Sequence, residues 1–484
     1  MIGATANAYK NSCPKFEARW FTDAPYDPKS IYKDFLYEYN IPKGAFCSDF
    51  CGKTKLKPHM DDPIWFECSK KIMPRIFYYF DDEDHCLVHS DKGRSDPENR
   101  KCIQRVAQFF ADNRSPDAKL VYLVHGFSGK EFEKSKNFKN IQKFLIEREG
   151  KGAVVVGVVN WVTGSRVLAS KMFSKSAHRS SLHSRSPTDD EEDTKMKTAY
   201  CCTNRYKLPG VKTQCIVKYP TAAANTWPVG NIVAYVNFDI GKTLSAINLK
   251  DQVCNANPHK CNNLAVSCIG HSLGAHLCGF FSKRAKELNQ KSKVAGALEI
   301  QKIIGLDPAG PIFQDKLQPD NLKLTKEDAL DVEIMHTNAK TYGFKKSFGH
   351  VDIFVNGGFN QPWCTAGVAP DLASQCSHKF AYIFMSWLVK PVSKCKADWK
   401  CGKEYFSKIS KDEWRENMLA SIHTQDTKKL LESGCILVLE RKPTPNGKPI
   451  EIGTLARSDI SQHGIYWIHV GENSETCKVD PTRI

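Results

Sequence analysis

From Ile76 onward the chain alternates short, strongly apolar runs with longer amphipathic stretches. The runs are Ile76–Phe80, Leu120–Val124, Ala153–Asn160, Leu264–Ile269, Lys302–Leu306, Val332–His336 and Val351–Val355. They are rich in β-branched and aromatic side chains, which suit strands. Between several of them lie segments with helical spacing, such as Phe132–Glu147 and Ala275–Leu288. Strands alternating with helices predict an α/β fold with a mostly parallel central sheet. Such a sheet carries its site at the carboxyl ends of its strands.

The rhythm holds over residues 72–390 and is interrupted once. Residues 166–218 contain a Ser-, Arg- and His-rich stretch, Ser174–Ser186, followed by the acidic run Asp189–Asp193. So little apolar content cannot offset ordering entropy, so a partly disordered surface insertion is expected there, pinned by Cys201, Cys202 and Cys215. Residues 1–71 are polar, weakly periodic and cysteine-containing, and read as an N-terminal extension. Residues 391–484 read as a small C-terminal extension with four cysteines (Cys395, Cys401, Cys435, Cys477) and β-like pieces at Ile436–Glu440 and Gly464–Val470.

Composition changes this picture in two respects. The 484 residues include 19 cysteines, a usage that points to an oxidising compartment. The pairs Cys47/Cys51 and Cys254/Cys261 lack the matching second pair that a zinc site needs. Met1–Ala8 has no apolar stretch, so a leader is expected to be missing from the sequence rather than absent from the protein. The charge balance, 69 basic against 53 acidic side chains for a net +16, favours anionic surfaces such as phospholipid head groups. No nucleic-acid-binding signature accompanies the charge, and no apolar run approaches the length of a membrane span.

The strongest chemical signal is Leu264–Ile269 running into Gly270-His271-Ser272-Leu273-Gly274 and then a helical stretch. A G-x-S-x-G between strand and helix makes so sharp a turn that side chains flanking the serine would collide, hence the glycines. The turn presents the Ser272 hydroxyl as a nucleophile, and the helix start behind it favours developing negative charge. A serine needs a positioned base, which in this arrangement follows an acid in the order Ser, acid, His. Asp307 ends the next strand in Gly305-Leu306-Asp307-Pro308, where it can orient an imidazole; Asp352, inside a strand-like run, is the rival. Of the histidines beyond it, His336 and His350 adjoin strands and are expected to satisfy local hydrogen bonds. His378 follows the cysteine-bounded loop Cys364–Cys376, which would anchor the base. His271 and His276 are expected to pack around the nucleophile. Two backbone N–H groups should bind an oxyanion: Leu273, after the nucleophile, and Phe127, after the strand Leu120–Val124 and His125-Gly126.

Together these stretches, with Val158-Val159-Asn160-Trp161, His336-Thr337, Gly349-His350-Val351-Asp352, Asn356-Gly357-Gly358 and Cys376-Ser377-His378, resemble the pancreatic-lipase family of animals, including its arthropod lipases and phospholipases A1. The resemblance implies an α/β-hydrolase fold, a Ser272–Asp307–His378 triad with Phe127 and Leu273 at the oxyanion hole, and a secreted enzyme that hydrolyses carboxylic esters of lipids without a cofactor. Its partner would be lipid at a membrane, lipoprotein or emulsion surface. The resemblance further implies a disulfide-bounded lid, Cys364 to Cys376. Eleven residues lie between these cysteines, short enough to favour phospholipids over triacylglycerols. It also implies a structural calcium at Asp320, Lys323, Thr325 and Asp328, although Thr325 stands where a carboxylate is expected. The alternatives are a triacylglycerol lipase and a non-enzymatic lipid-binding or yolk-type protein on the same fold.

Overall fold

A computed structural model describes residues 50–54, 64–67, 72–90, 92–115, 117–127, 135–166, 218–251, 264–291, 298–314, 320–339, 341–365, 370–390, 396–398, 438–440, 450–458 and 463–468. The expected insertion 166–218, apart from its two ends, and most of the two expected extensions lie outside them.

The strands, in chain order, are β1 (Phe50–Thr54), β2 (Ile64–Glu67), β3 (Arg75–Tyr79), β4 (His85–His89), β5 (Lys119–Val124), β6 (Val154–Asn160), β7 (Ala265–His271), β8 (Ile300–Leu306), β9 (Asp331–His336), β10 (Val351–Val355), β11 (Lys396–Asp398), β12 (Val438–Glu440), β13 (Ile450–Glu451) and β14 (Gly464–Ile468). The helices are α1 (Pro97–Asn113), α2 (Lys136–Glu149), α3 (Val162–Arg166), α4 (Lys218–Asn248), α5 (Leu273–Lys291), α6 (Pro362–Thr365) and α7 (Pro370–Leu388). Nine strands form one sheet in the order β14-β10-β9-β8-β7-β5-β6-β3-β4. From β14 to β6 every pairing is parallel, and β3 enters antiparallel between β6 and β4. This is the expected α/β architecture with a mostly parallel sheet.

Period-2 alternation divides the strands between two cores, as the pleat requires. In β5, Leu120, Tyr122 and Val124 join the core beneath α1, α4 and α5, whereas Val121 and Leu123 join the one beneath α2 and α7. Both faces of the sheet are thus covered, which is why its strands read as near-continuous apolar runs.

The expected C-terminal extension, 391–484, does not stand apart from the sheet. Its strand β14 pairs with β10 in parallel register, Val351 opposite Gly464. A buried charge cluster holds the chain that leads into it. Lys302 Nζ lies 3.0 Å from Glu333, 3.2 Å from Asp331 and 3.0 Å from the Ala456 carbonyl. Gly453 N–H donates to Glu333 and Ser458 N–H to Asp331. Burial alone would pull the Lys302 ammonium down, but the charges of Glu333 and Asp331 together hold it above the ordinary lysine range.

Strand β5 is the switch point of the sheet: the chain goes from it to β6 on one side and returns to β7 on the other. Connections diverge there, the arrangement in which such sheets carry a site at the carboxyl ends of the flanking strands, here β5 and β7.

Candidate active site

Register brings the motif residues together. Val124, the end of β5, pairs with Gly270, and His271 pairs with Leu306, the end of β8. Ser272 therefore follows β7 between the loop Gly126-Phe127 and Asp307. Its backbone is left-handed, φ 57°, a conformation that is strained for a residue with a side chain and is held by neighbouring bonds. Ser272 N–H donates to the Leu306 carbonyl, and its own carbonyl accepts from Ala275 and Ala309. The flanking glycines are required sterically: a Cβ on Gly274 would lie 2.6 Å from the Val124 carbonyl oxygen, and one on Gly270 would collide with the Gly274 peptide.

Asp307, also left-handed at φ 44°, is wholly buried. Its Oδ1 accepts from the amides of Thr337 (2.9 Å) and Asn338 (3.0 Å), and its Oδ2 lies 2.5 Å from His378 Nδ1. A carboxylate held by two backbone donors cannot swing away, and it fixes the imidazole with Nδ1–H toward itself. The Nε2 of His378 is thereby left able to accept a proton. His378 sits inside helix α7, about two turns beyond its start, rather than after an open loop. Its side chain is 14% exposed, whereas Ser272 is 4% exposed.

Ser272 Oγ and His378 Nε2 are not hydrogen-bonded to each other. The residue before Ser272, His271, instead donates Nε2–H to the His378 backbone carbonyl at 3.0 Å, and the two imidazole rings lie 4.6 Å apart. Burial, reinforced by the neighbouring His378, holds His271 well below the ordinary imidazole range and hence neutral.

At the expected oxyanion hole, Leu273 begins α5 and is fully buried. Gly126 backs directly onto Ser272: a Cβ there would lie 2.6 Å from its Cβ. Phe127 packs edge-on against Tyr219 at 5.4 Å. The loop is pinned by Trp161, which the sequence marks only as part of the stretch Val158–Trp161. Trp161 Nε1 donates to the His125 carbonyl, Trp161 N–H donates to His125 Nε2, and the two rings stack at 5.5 Å. Gly343 closes the other side of the acid, where a Cβ would collide with the Asp307 carboxylate. Gly343 carries no spacing motif of its own, and its visible signal is limited to a lone loop glycine.

The other histidines behave as local anchors. His336 bonds Phe344 O and Asp352, His350 Nδ1 accepts Val332 N–H, and His276 bridges Ala309 O and Leu324 N–H. Cys364 and Cys376 are disulfide-bonded. The segment they close is largely helical, since Cys364 lies in α6 and Cys376 in α7, with only residues 366–369 between the helices.

The residues expected to hold calcium do not fit that ion. Asp328 gives both carboxylate oxygens to the Lys283 ammonium, at 2.5 and 2.6 Å, and the Lys323 carbonyl accepts from the same nitrogen at 2.9 Å. Thr325 caps the short helix at 326–328 through its backbone. Asp320 is exposed and paired with Lys323. A calcium ion needs several oxygens free to converge on it, whereas the principal ones here already face a cation. Among the described residues no group of three or more His, Cys, Asp or Glu could hold a metal.

The lipase family matches residues 209–383, a stretch containing Ser272, Asp307 and His378. Over this stretch the chain is similar to the pancreatic-lipase family. It is 37% identical over 179 residues to a phospholipase A1 of Vespula squamosa, covering 37% of this chain and 51% of that protein. It is 30% identical over 271 residues to one of Vespula maculifrons (56% and 65%) and 34% identical over 209 residues to one of Vespa crabro (40% and 58%). The chain thus spans about half to two thirds of the length of these lipase-family relatives. No helix among the described residues is long and apolar enough to cross a membrane.

Proposed function

We propose that this chain is a secreted serine hydrolase that cleaves carboxylic esters of lipids, with Ser272 as nucleophile, His378 as base and Asp307 as the acid that orients it. One observation carries the reading: the Asp307–His378 bond stands beside a serine on a strained strand–helix turn, with the base's second nitrogen left open. Catalytic hydrogen bonds often tighten only when substrate is bound. On lipid binding His378 Nε2 takes the Ser272 proton, and Oγ attacks the acyl carbon. The amides of Phe127 and Leu273 hold the oxyanion; losing one such donor typically costs about 3 kcal/mol of transition-state stabilisation. The intermediate collapses, and the leaving alcohol takes the proton from His378. Water, deprotonated by His378, then attacks the acyl-enzyme, the fatty acid leaves and Ser272 is restored. The step requires no cofactor.

Phospholipid is the preferred substrate in this reading, with phospholipase A1 as the activity. Three features support it: the relatives bear that name, the segment tied by Cys364–Cys376 is short, and the chain carries a net charge of +16. A long lid exposes apolar surface on opening, which at ~25 cal/mol per Å² helps dock an enzyme on neutral oil. A short one gives up that contact, while basic residues near an anionic bilayer contribute about 1 kcal/mol each. Disulfides at Cys86–Cys102, Cys268–Cys278 and Cys364–Cys376 fit an oxidising, extracellular location.

A fluorophosphonate probe should label Ser272, since only an activated serine reacts; an unlabelled protein would favour the non-enzymatic lipid-binding reading. Phosphatidylcholine liposomes should be hydrolysed faster than triolein emulsion at matched surface concentration, with the rate rising with phosphatidylserine content and falling with salt. Faster triolein hydrolysis would make the protein a triacylglycerol lipase.

A further inference from the structure

The helix that begins at the nucleophile, α5, carries a second function on its outer half. Lys283 lies in its third turn and reaches the loop 320–328, which joins β8 to β9. Its ammonium meets three oxygens, Asp328 Oδ1 and Oδ2 and the Lys323 carbonyl, at 2.5, 2.6 and 2.9 Å. An ammonium has three protons to give, so donors and acceptors match in number. Asp328 is almost wholly buried, and the Lys283 side chain is 23% exposed. Burial draws the lysine below its ordinary range and pushes the aspartate above its own, while their mutual attraction opposes both shifts.

The loop lies flat on the helix at this point. A Cβ on Gly279 would come within 2.9 Å of Leu324 Cα and 3.0 Å of Asp328 Oδ2. The Ser282 hydroxyl donates to the Asp328 carbonyl, and Lys286 to that of Glu327. The clamp continues toward the acid. Leu324 N–H donates to His276 Nδ1 at 3.1 Å, and His276 Nε2–H donates to the Ala309 carbonyl at 2.8 Å. The His276 ring stacks on Phe313 at 3.7 Å, and Ala309 N–H closes the path on the Ser272 carbonyl.

We propose that Lys283 is a built-in cation: its ammonium occupies the oxygen cluster of Asp328 and Lys323 in place of a divalent ion, so that the loop 320–328 and the Asp307 turn behind it keep their shape without calcium. The proposal concerns the folded chain and is independent of which lipid is cleaved. Two carboxylate oxygens and a carbonyl form the kind of hard donor set that calcium takes. Here that set is satisfied from within the chain.

The test starts with the full chain and no mutation. Its thermal midpoint should be the same in EDTA and in millimolar calcium chloride; a rise of several degrees with calcium overturns the proposal. Lys283→Gln should lower the midpoint by several degrees and speed exchange of the Leu324 amide at least tenfold. Asp328→Asn should do the same. The double variant should lose clearly less than the sum of the two, because the second change removes a partner already lost. A Lys283→Gln protein as stable as the parent, or strictly additive losses, would overturn the proposal. If either single variant fails to fold, the comparison between EDTA and calcium on the parent chain decides.

Discussion

Two aspartate–histidine pairs, Asp307–His378 and Asp352–His336, are built from the same parts and placed for different ends. Asp307 and Asp352 are both wholly buried, and each accepts two backbone amides and one imidazole. The bonds to histidine measure 2.5 and 2.9 Å. The difference lies at the other ring nitrogen. His336 gives its Nδ1 to the Phe344 carbonyl and stacks on Phe354 at 4.1 Å, without exposure. His378 leaves Nε2 open, and its carbonyl accepts from His271, the residue before Ser272. A fully satisfied imidazole is a brace, and one with an open nitrogen beside a hydroxyl is a base. The brace also serves the base: Thr337 and Asn338, whose amides grip Asp307, directly follow His336.

The comparison breaks most sharply on the side of the base. Ser272→Ala should abolish ester hydrolysis while leaving the thermal midpoint unchanged. His378→Ala should lose about as much, on the order of 10⁶ in kcat by analogy with subtilisin, because such residues act as a unit. A Ser272→Ala protein retaining most of its esterase activity would refute the assignment.

Asparagine substitutions should separate the two aspartates. Asp307→Asn should lower kcat roughly 10⁴-fold, the loss seen when a serine protease's orienting acid is so changed, with little effect on folding. Asp352→Asn should act in reverse, removing on the order of 2 kcal/mol of stability, because the amides of Phe348 and Gly349 and the His336 ring lose a buried acceptor. Its folded fraction should remain active. Urea unfolding and active-site titration of both variants decide the matter; equal activity losses would mean that the two pairs are not distinct in role.

Much of this division was legible in the sequence, for identifiable reasons. Gly270-x-Ser272-x-Gly274 is visible because a steric requirement leaves glycines at fixed spacing, and Asp307 because it ends an apolar run before a proline. His336 and His350 could be set aside because they adjoin strands. The long-range bonds could not be read. Nothing local shows that Lys283 meets Asp328, since ion pairs across 45 residues leave no periodic trace. The same holds for Trp161 pinning His125, and for β14 joining the sheet from a region whose composition looks peripheral. Helix α7 was missed because its start lies inside the cysteine-bounded segment, where disulfide spacing suggested a loop.

Buried histidines around the site should also set the acid limit of the fold. Burial holds His276 down to about 3 and His271 well below its ordinary value. The folded chain therefore refuses protons that the unfolded chain binds below pH 6.5. The stability contribution is whole above that pH and is lost as pH falls toward the folded values. For His276 alone, lowering pH from 7.5 to 5.0 should remove about 2 kcal/mol. Urea midpoints measured at both pH values should show the loss, and His276→Gln should lessen the slope. An unchanged slope in that variant would assign the acid sensitivity elsewhere.

The smallest effect concerns the bridge between nucleophile and base. His271 is neutral, donates Nε2–H to the His378 carbonyl and packs against Tyr382 at 5.0 Å. It touches no reacting atom, so its role is to position α7 relative to the strand end. His271→Phe keeps a ring but removes the donor, and a single neutral hydrogen bond contributes about 1 kcal/mol. The expected result is a fall in kcat of roughly tenfold, the equivalent of about 1.4 kcal/mol, with KM unchanged and slower fluorophosphonate labelling. His271→Gln, whose amide reaches the same place, should restore most of the rate. Loss in the phenylalanine variant with recovery in the glutamine variant identifies the hydrogen bond. Equal loss in both would assign the effect to ring packing, and no loss in either would leave α7 positioned by Asp307 and the Cys364–Cys376 disulfide alone.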